Sequence, residues 1–436
     1  MFLNTNLNVV TVVLFVFIKV LSIESSLASS DDIPQSLADN ATTQLQGRDS
    51  FAMPLATLPS ALLNSFYGGH RLFNVQWLPS GSIPKSLSGL GPLFNRSSCS
   101  GCHSNNGRGA ILLDGNNQLI SSLVRITTSD ARYGSQLRTF AIDPVQPDVS
   151  ITIVPKYLSS FQDIDGKKIQ LQQFILHFSN WSKGIPPSSS QYSLRVAPAV
   201  IGLGLLAAIP DKEIIDNMKS QETTKGPVKG KINYISHGVI GRFGWKANTS
   251  TLIEQVAAAS FFDIGLTNKI HSDINQPNEL QDKQLNQLVD YMEGITVPSA
   301  PLVTSRQAKD GYQLFVKIGC AGCHRPSYQT KSDKSYLDGL KIFPFTDLLV
   351  HDLGDGLADG RSDGFANGNQ WRTAPLWGIG KIKFINNHTN YLHDGRARNL
   401  LEAILWHQGE AKQVTEIFSK LSKEQRDRII YFLESL

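Results

Sequence analysis

Two copies of the pattern Cys-x-x-Cys-His constrain what this chain can fold into more than any other feature. The chain has 4 cysteines, and all of them lie in these two motifs. The pattern is the attachment signature of a c-type haem, in which two thiols bond the porphyrin and the histidine binds the iron. We therefore predict two covalently bound haems. The predicted haem-binding residues are Cys99, Cys102, His103, Cys320, Cys323 and His324.

Other uses of paired cysteines fit this chain less well. A zinc ribbon places its two pairs about 15–20 residues apart, whereas Cys102 and Cys320 are far apart in the sequence. A thioredoxin-like site needs one redox pair and does not require a following histidine twice. A disulfide between the two halves would leave both histidines without a role.

Length and charge set the broad class. A chain of 436 residues is long enough for two domains, each with an apolar core. Its 41 basic and 37 acidic residues are nearly balanced and form no long run of one sign. This balance gives no support for a nucleic acid or an anionic membrane as partner, and we expect neither.

The N-terminus predicts export. Residues 9–18 form an apolar run about as long as the core of a signal peptide, and Ser26 and Ala28 supply small residues for cleavage. We predict a signal peptide over residues 1–28, a periplasmic location and no stable membrane span. An uncleaved N-terminal anchor is the alternative, because no basic residue precedes the run and Lys19 interrupts its end.

The expected architecture is mainly α, with two cytochrome c-like haem domains and a β-containing insertion in the first. A loose polar leader, residues 29–48, precedes the first domain at residues 49–296. Residues 297–303 contain two prolines and are interpreted as the linker to the second domain at residues 304–436. The insertion covers about residues 110–245, because its segments are rich in β-branched and aromatic residues.

Each half of the chain ends with a predicted helix. A helical spacing of apolar residues that includes Leu288 and Met292 stops at Gly294. In the second half, Ser422 and Gln425 form a capping box that begins a final helix.

The second axial ligand decides whether a haem only carries electrons or can also bind a small molecule. The second half contains no methionine to serve as this ligand. Asn399 and Glu402 begin a predicted helix that carries His407 on its apolar face. We therefore predict that His324 and His407 both bind the second iron. Two imidazoles would give a closed, low-spin haem of low potential.

The first iron, which His103 binds, has no such obvious partner. We treat Met292 as a core residue of its helix and favour an open or weakly held site, which makes this haem the candidate reaction centre. The histidines that could still reach the first iron through tertiary contacts are His70, His177, His237 and His271.

Residues 351–411 resemble the C-terminal haem domain of the bacterial dihaem cytochrome c peroxidases. The resemblance rests on HDLG at 351–354, ADGR at 358–361 and YLHDG at 391–395. The distal methionine of those peroxidases aligns with His407. Two histidines within these motifs, His351 and His393, either orient the haem or are ordinary buried residues, and both readings stay open.

The whole mature chain resembles more closely the dihaem oxidoreductase family, whose members are described as peroxidases or thiol oxidoreductases. The shared motifs are GLGPLFN at 89–95, GRFGWKA at 241–247, WRTAPLWGIG at 371–380 and ILWHQGEA at 404–411. A thiol activity finds no support, because every cysteine would be bound to haem. The family stretch that aligns with residues 202–210 commonly carries Glu where this chain has Ala207, so the standard acid for peroxide cleavage is absent there.

The resemblance implies a peroxidase-like oxidoreductase that passes electrons from the bis-His haem to the first haem, which reduces hydrogen peroxide or a related oxidant. A small redox protein or a quinol-linked donor would supply the electrons. Arg108, as a partner of a haem propionate, and Trp245, as an electron relay, are the candidate catalytic residues. The alternatives are a non-enzymatic electron carrier and an enzyme that oxidises a protein or organic substrate. A calcium ion between the domains stays open.

Overall fold

The computed structural model describes residues 33–272 and 277–436. Helices account for 34% and strands for 19% of it, so the expected predominance of helix is met only in part. The helices in this part are α1 Ser60–Asn74, α2 Leu203–Ala207, α3 Asp211–Thr223, α4 Leu252–Ile264, α5 Asp282–Gly294, α6 Arg306–Ile318, α7 Ile382–Asn386, α8 Leu400–Leu405, α9 Lys412–Lys420 and α10 Lys423–Ser435.

The strands are short, apart from one long hairpin, and pair mostly in twos. Those of the first half are β1 Leu78–Pro79, β2 Ser88–Leu90, β3 Leu93–Phe94, β4 Leu123–Thr127, β5 Gln136–Leu137, β6 Phe140–Ala141, β7 Ser150–Ile164, β8 Lys167–Ser179, β9 Gln191–Arg195, β10 Tyr234–Ser236 and β11 Val239–Ile240. Those of the second half are β12 Tyr328–Gln329, β13 Lys341–Ile342, β14 Val350–Asp352 and β15 Gln370–Arg372.

Two helix pairs repeat the same crossing in the two halves: α1 packs on α5, and α6 packs on α10. A Cβ on Gly69 of α1 would lie 1.9 Å from the backbone oxygen of Gln287 on α5. A Cβ on Gly311 of α6 would lie 2.0 Å from the backbone oxygen of Arg428 on α10. Only glycine lets the backbones approach this closely, so the same residue type fixes both crossings.

A phenylalanine follows each of these glycines by one helical turn. Phe73 packs against Tyr291 of α5 with ring centroids 5.5 Å apart, and Phe315 packs against Phe432 of α10 at 5.4 Å. The sequences GHRLF at 69–73 and GYQLF at 311–315 are therefore two copies of one packing motif. Each copy precedes one Cys-x-x-Cys-His motif.

The predicted helix ends are largely confirmed. Ser422 and Gln425 form the capping box at the start of α10, and α5 ends at Gly294. Asn399 caps α8 by accepting a hydrogen bond from the backbone N–H of Glu402 at 2.9 Å. One expectation was wrong, because α8 ends at Leu405 and so stops before His407.

The β structure of the first half lies mostly within the expected insertion. β4 pairs with both β5 and β9, and β7 pairs with β8 in an antiparallel hairpin. The sheet and hairpin share a small apolar core that includes Val124, Ile126, Leu137, Ile151 and Leu194. The strands β12 to β15 of the second half were not predicted, because strands of two or three residues leave no periodic signal.

The expected loose leader was wrong for its described part. Ile33, Leu37 and Ala41 are buried at 3% exposure or less. The backbone oxygen of Leu37 accepts a hydrogen bond from Phe343 in the second half at 2.8 Å. This segment packs because its few apolar residues find a partner surface that composition alone does not reveal.

The expected linker is also part of the core. Val297 and Val303 are buried at 0% and 2% exposure, and the backbone N–H of Ser299 bonds to the oxygen of Thr43 at 2.9 Å. Residues 297–303 therefore connect the two halves without separating them. The main apolar core runs continuously from the N-terminal segment to α10.

The predicted signal peptide, residues 1–28, lies outside the described residues. Within the described ranges, no helix is both long enough and apolar enough to cross a membrane.

Candidate functional site

The first Cys-x-x-Cys-His motif forms a tight turn that presents its histidine to the protein interior. Ser98 begins the turn by accepting a hydrogen bond from the backbone of Gly101 at 3.2 Å. The Nδ1 atom of His103 lies 2.8 Å from the backbone oxygen of Pro198. An Nδ1–H that donates to this carbonyl leaves Nε2 without a proton, which is the form that binds a metal.

The second motif repeats this arrangement. Gly319, in a left-handed conformation with φ of 102°, ends α6 and turns the chain into the motif. The Nδ1 atom of His324 lies 3.0 Å from the backbone oxygen of Phe345. The ring centroids of Phe315 and His324 are 6.1 Å apart, the same distance that separates Phe73 from His103.

The protonation states of the motif residues suit haem binding. Burial lowers the pKa of His103 and of His324 to about 4, so both imidazoles are neutral at physiological pH. Burial also raises the pKa of Cys99 and of Cys320 to about 12. No cysteine of the chain is in a disulfide. Neutral, protonated thiols in a buried site do not favour redox or nucleophilic thiol chemistry.

One internal cavity of about 780 Å³ joins the two motifs. We call it the central cavity. It is lined by all six predicted haem-binding residues and by side chains from α4, α5, β9, β15 and the region around α8. The two candidate cofactor sites therefore belong to one continuous cavity.

His407 lies in the central cavity, immediately after α8. Its Nδ1 atom lies 2.7 Å from the backbone oxygen of Ala403, and its own backbone oxygen accepts a hydrogen bond from Thr415 at 2.6 Å. Burial lowers the pKa of His407. The charge of His407 would also lower the pKa of His324, so the two imidazoles are near each other.

The four histidines considered for the first iron differ in position. His177 and His237 are exposed, and among the four only His271 lines the central cavity. Its ring stacks on Phe261 with centroids 5.6 Å apart. Met292 is buried on α5 and lines the cavity as well. The neighbouring helix α4 offers neither histidine nor methionine.

Among the described residues, Arg108, Arg125 and Arg372 are half-buried arginines that line the central cavity without a carboxylate at ion-pair distance. Burial lowers the pKa of each guanidinium to about 10. One terminal nitrogen of Arg108 is buried with no hydrogen-bond partner. Unpaired buried cations are costly. These arginines therefore favour an anionic group within the cavity.

A charged network beside these arginines ties the first half of the chain to the loop between β14 and β15. Arg195 contacts Asp359 at 3.1 Å and Asp363 at 2.7 Å. Lys246 contacts Asp359 at 2.8 Å and donates to the backbone oxygen of Arg361 at 2.6 Å. Arg361 pairs with Asp363 in turn. Three cations thus share two carboxylates, which leaves the network net positive.

Three tryptophans line the central cavity, namely Trp245, Trp371 and Trp377. Trp245 donates its indole N–H to the backbone oxygen of Val196 at 2.8 Å, and the guanidinium of Arg108 lies 5.1 Å from its ring centroid. Trp371 stacks on His393 with centroids 3.7 Å apart. Burial and surrounding cations hold the pKa of His393 well below its usual range, so its imidazole is neutral.

His351 sits between two carboxylates. Its Nε2 atom lies 2.8 Å from Asp347 and its Nδ1 atom lies 2.7 Å from Glu410. Burial lowers the pKa of His351, but the charge of Asp347 and the Cys323 sulfur outweigh it and raise that pKa well above its usual range. Nδ1 is also 3.5 Å from the sulfur of Cys323. His351 therefore has a defined place beside the second motif.

A family model described as "Di-haem oxidoreductase, putative peroxidase" matches residues 188–276 and 271–436. Together these residues make up more than half of the chain. The chain belongs to this family. The matched part of the dihaem oxidoreductase contains the second motif, His407 and Trp245, whereas the first motif lies before it.

Two further comparisons give little more. No curated protein matches the chain. A solved structure of hydrazine synthase from Kuenenia stuttgartiensis, pressurised with xenon, is 16% identical and covers 91% of this chain and 96% of its own, with a TM-score of 0.40. A similarity at this level carries no information about function.

The residues of this dihaem oxidoreductase fit two haems. Both pairs of thiols and both motif histidines face one cavity, and that cavity holds buried guanidiniums that lack anions. Haem propionates are carboxylates of the kind that arginine binds in buried sites. Arg108 was predicted in this role, and it lines the cavity as the role requires.

Sequence reasoning missed several cavity residues of the dihaem oxidoreductase. Arg125 and Arg372 come from β4 and β15, and no local motif marks them. The repeated G-x-x-L-F sequence at 69–73 and 311–315 was a usable signal, because it marks the helix that precedes each haem motif.

Among the described residues, one group with metal-binding spacing is present: Cys323, Asp347 and His351. Calcium takes oxygen ligands, so a group that includes a thiol and an imidazole does not resemble a calcium site. A calcium ion between the domains, which the sequence left open, stays open.

Proposed function

We propose that this protein is a periplasmic dihaem c-type cytochrome with peroxidase-like activity. The observation that carries the proposal is the central cavity, which contains both Cys-x-x-Cys-His motifs and a second histidine, His407, beside His324. The sequence around the first motif offers no equivalent partner on α4, the helix that runs along that end of the cavity. The two ends therefore differ in the ligands they offer.

In this proposal each group of residues has its own role. The four cysteines would attach the porphyrins, and His103, His324 and His407 would hold iron through the nitrogen that their backbone hydrogen bonds leave free. Arg108, Arg125 and Arg372 would pair with propionates. Haem, when bound, would supply the redox chemistry that carries electrons from the His324 and His407 site to the His103 site for reduction of hydrogen peroxide or a related oxidant.

Arg108 and Trp245 stay the candidates for a catalytic role. They form a cation–π pair on the wall of the central cavity, in position to contact cofactor or substrate there. A small redox protein or a quinol-linked donor supplies the electrons from outside.

A plain electron carrier is the second candidate function. It is favoured by His271 and Met292, which both line the central cavity and could complete the coordination of the first iron. In that case both irons are six-coordinate, and neither binds an external ligand.

Electron paramagnetic resonance and optical spectra of the purified protein test the proposal. They are recorded on the oxidised and half-reduced protein, with and without carbon monoxide or peroxide. We expect one low-spin haem and one high-spin haem whose signal disappears when a ligand is added, followed by measurable peroxide turnover. Two low-spin signals that neither ligand changes would contradict the enzyme and leave the electron carrier.

A further inference from the structure

A half-buried carboxyl group faces the central cavity beside the first haem motif. Asp263 lies in the last turn of α4 and lines the cavity together with Cys99 and Cys102. Its charge would raise the pKa of both thiols, so the carboxylate is close to the edge at which the porphyrin is attached. The backbone oxygen of Asp263 accepts hydrogen bonds from Asn95 at 2.7 Å and Arg96 at 3.2 Å, which fixes the helix end against the motif.

The carboxyl group has one close partner. Gln136, which is 2% exposed, donates its side-chain amide to Asp263 at 2.6 Å. The same amide donates to the side-chain oxygen of Asn95 at 2.8 Å, so Gln136 is held in place. Among the described residues, no cation lies within ion-pair distance of Asp263.

The charged and titratable groups that surround Asp263 come from few elements. β4 supplies Arg125, whose guanidinium attracts the carboxylate from a longer distance. The first motif and the residues before it supply Cys99, Cys102 and Arg96. The helices packed against α4, α2 and α5, present apolar side chains to the cavity: Leu203, Leu206, Leu288 and Met292.

This environment makes Asp263 able to hold a proton near neutral pH. Burial raises its pKa to about 6, and the hydrogen bond from Gln136 and the charge of Arg125 offset part of that rise. The other carboxyl group that lines the cavity, Glu254, accepts hydrogen bonds from Ser250 at 2.7 Å and Thr251 at 2.9 Å, which lower its pKa, so it does not hold a proton near neutral pH. Peroxide reduction consumes one proton for each electron, and a positioned side chain can deliver these protons to the reacting oxygen.

We propose that Asp263 is the proton-carrying residue of the first haem site. For each electron that an external reductant delivers to this site, Asp263 takes up one proton from solvent. It then passes that proton to the oxygen of peroxide, and two such cycles convert one peroxide into two waters. This inference deepens the proposed function and rests on it, but its first test needs no peroxide.

The physical reason is electrostatic coupling. Reduction adds one negative charge to the haem, and a nearby negative charge raises the pKa of a carboxyl group. The reduced state therefore binds a proton that the oxidised state releases, and the midpoint potential falls as the pH rises. For one proton per electron the slope approaches about 59 mV per pH unit, because a tenfold change in concentration corresponds to that potential.

The experiment is a spectroscopic redox titration of the holoprotein between pH 5 and pH 9, with the two haems resolved by their spectra. We expect the potential of the first haem to fall with pH above about pH 6, and that of the bis-His haem to change less. In Asp263→Asn, which keeps the size of the side chain, the slope of the first haem should be near zero.

Two further variants separate a specific effect of Asp263 from a general effect of substitution. Gln136→Leu removes the hydrogen bond that favours the ionised form, so the pH-dependent range should move to higher pH. Asp282→Asn is the control, because this carboxyl lies on the surface of α5 with 66% of its side chain exposed and should keep the wild-type slope.

The proposal is overturned if Asp263→Asn keeps the wild-type slope, or if the wild type shows no slope at the first haem. Failure of the broader peroxidase function looks different, because it would appear as an absence of ligand binding and turnover while the slope remained. If the slope depends on Asp263, the peroxide turnover of Asp263→Asn should also fall in kcat more than it rises in KM.

Discussion

The imidazole of His407 is held by the backbone of its own helix end, through the contact of Nδ1 with the oxygen of Ala403. Ligands to haem iron are commonly fixed in this way, by a hydrogen bond on the nitrogen that does not bind the metal. Its position near His324 in the central cavity is the observation behind the proposal that the second haem is closed.

Replacing His407 by Ala should open the second haem. Loss of the imidazole leaves a five-coordinate iron, so the variant should bind carbon monoxide at a haem that excludes it in the wild type. His177→Ala, at an exposed position of the β7–β8 hairpin, is the matched control and should leave both haems unchanged. Carbon monoxide difference spectra measure the result, and unchanged ligand access in His407→Ala would refute the assignment.

Met292 provides the complementary case. We treat it as a core side chain of α5, so Met292→Leu should leave the spin state of the first haem as it is. The cost in stability should be below about 1.5 kcal/mol, because the two side chains are similar in volume. Electron paramagnetic resonance checks this expectation. A new high-spin signal in the variant would identify Met292 as an iron ligand.

The buried guanidinium of Arg108 should contribute to the free energy of unfolding only when an anion is bound beside it. In the holoprotein, Arg108→Met should lower the free energy of unfolding by about 2 kcal/mol, because a buried propionate loses its partner. In protein expressed without haem attachment, the same change should cost much less, because the cation is then unpaired in the wild type as well. Urea denaturation of both forms compares the two costs, and equal losses would argue against the propionate contact.

At the scale of elements, the two halves position their motif histidines with the same arrangement of crossing helices. A helix with glycine one turn before phenylalanine crosses a partner helix, and the phenylalanine lies 6.1 Å from the motif histidine in both halves. The caps of these and neighbouring helices then decide how accurately each ligand is placed. α8 is the sensitive element, because it is short and carries His407 just beyond its end.

Removing the cap of α8 should affect the second haem as well as stability. Asn399→Ala should lower the free energy of unfolding by about 1 kcal/mol and broaden the low-spin signal of the bis-His haem, because the helix end frays. Ser422→Ala removes the equivalent cap of α10 and should cost a similar amount without changing the spectrum. If both variants alter the spectrum equally, the effect is not specific to α8.

At the scale of the whole molecule, the two halves are joined by buried contacts on several sides. The segment from Ile33 to Ala41 packs on the second half, and residues 297–303 are core. Arg195 and Lys246 of the first half pair with Asp359 of the second. We therefore expect the holoprotein to unfold in one cooperative transition.

The charged network should be strongly coupled across the halves. Lys246→Met leaves Asp359 with a buried charge that is only partly paired, so the free energy of unfolding should fall by about 3 kcal/mol. The double variant Lys246→Met, Asp359→Asn should recover part of that loss, because the unpaired charge is removed. Guanidinium denaturation measures the cycle, and simple additivity of the two single losses would show that the pair is not coupled.

The sequence by itself determined the parts of this protein that depend on neighbouring residues. Two Cys-x-x-Cys-His motifs predicted the haem-binding residues, and capping pairs such as Ser422 and Gln425 predicted helix ends, because both signals act over a few positions. The family also followed from short motifs. The helix at Asn399 was predicted at its start but not at its end, because helix ends carry weaker local signals.

Only the tertiary structure determined which residues that are distant in sequence lie close together in space. It placed Asp263, Arg125 and Gln136 beside the first motif, although they come from separate elements, and it buried segments 33–41 and 297–303 that composition marked as exposed. The physical reason is that burial and charge pairing depend on which surfaces meet, and no local periodicity encodes that choice. One continuous cavity for two haem motifs is the result of those contacts.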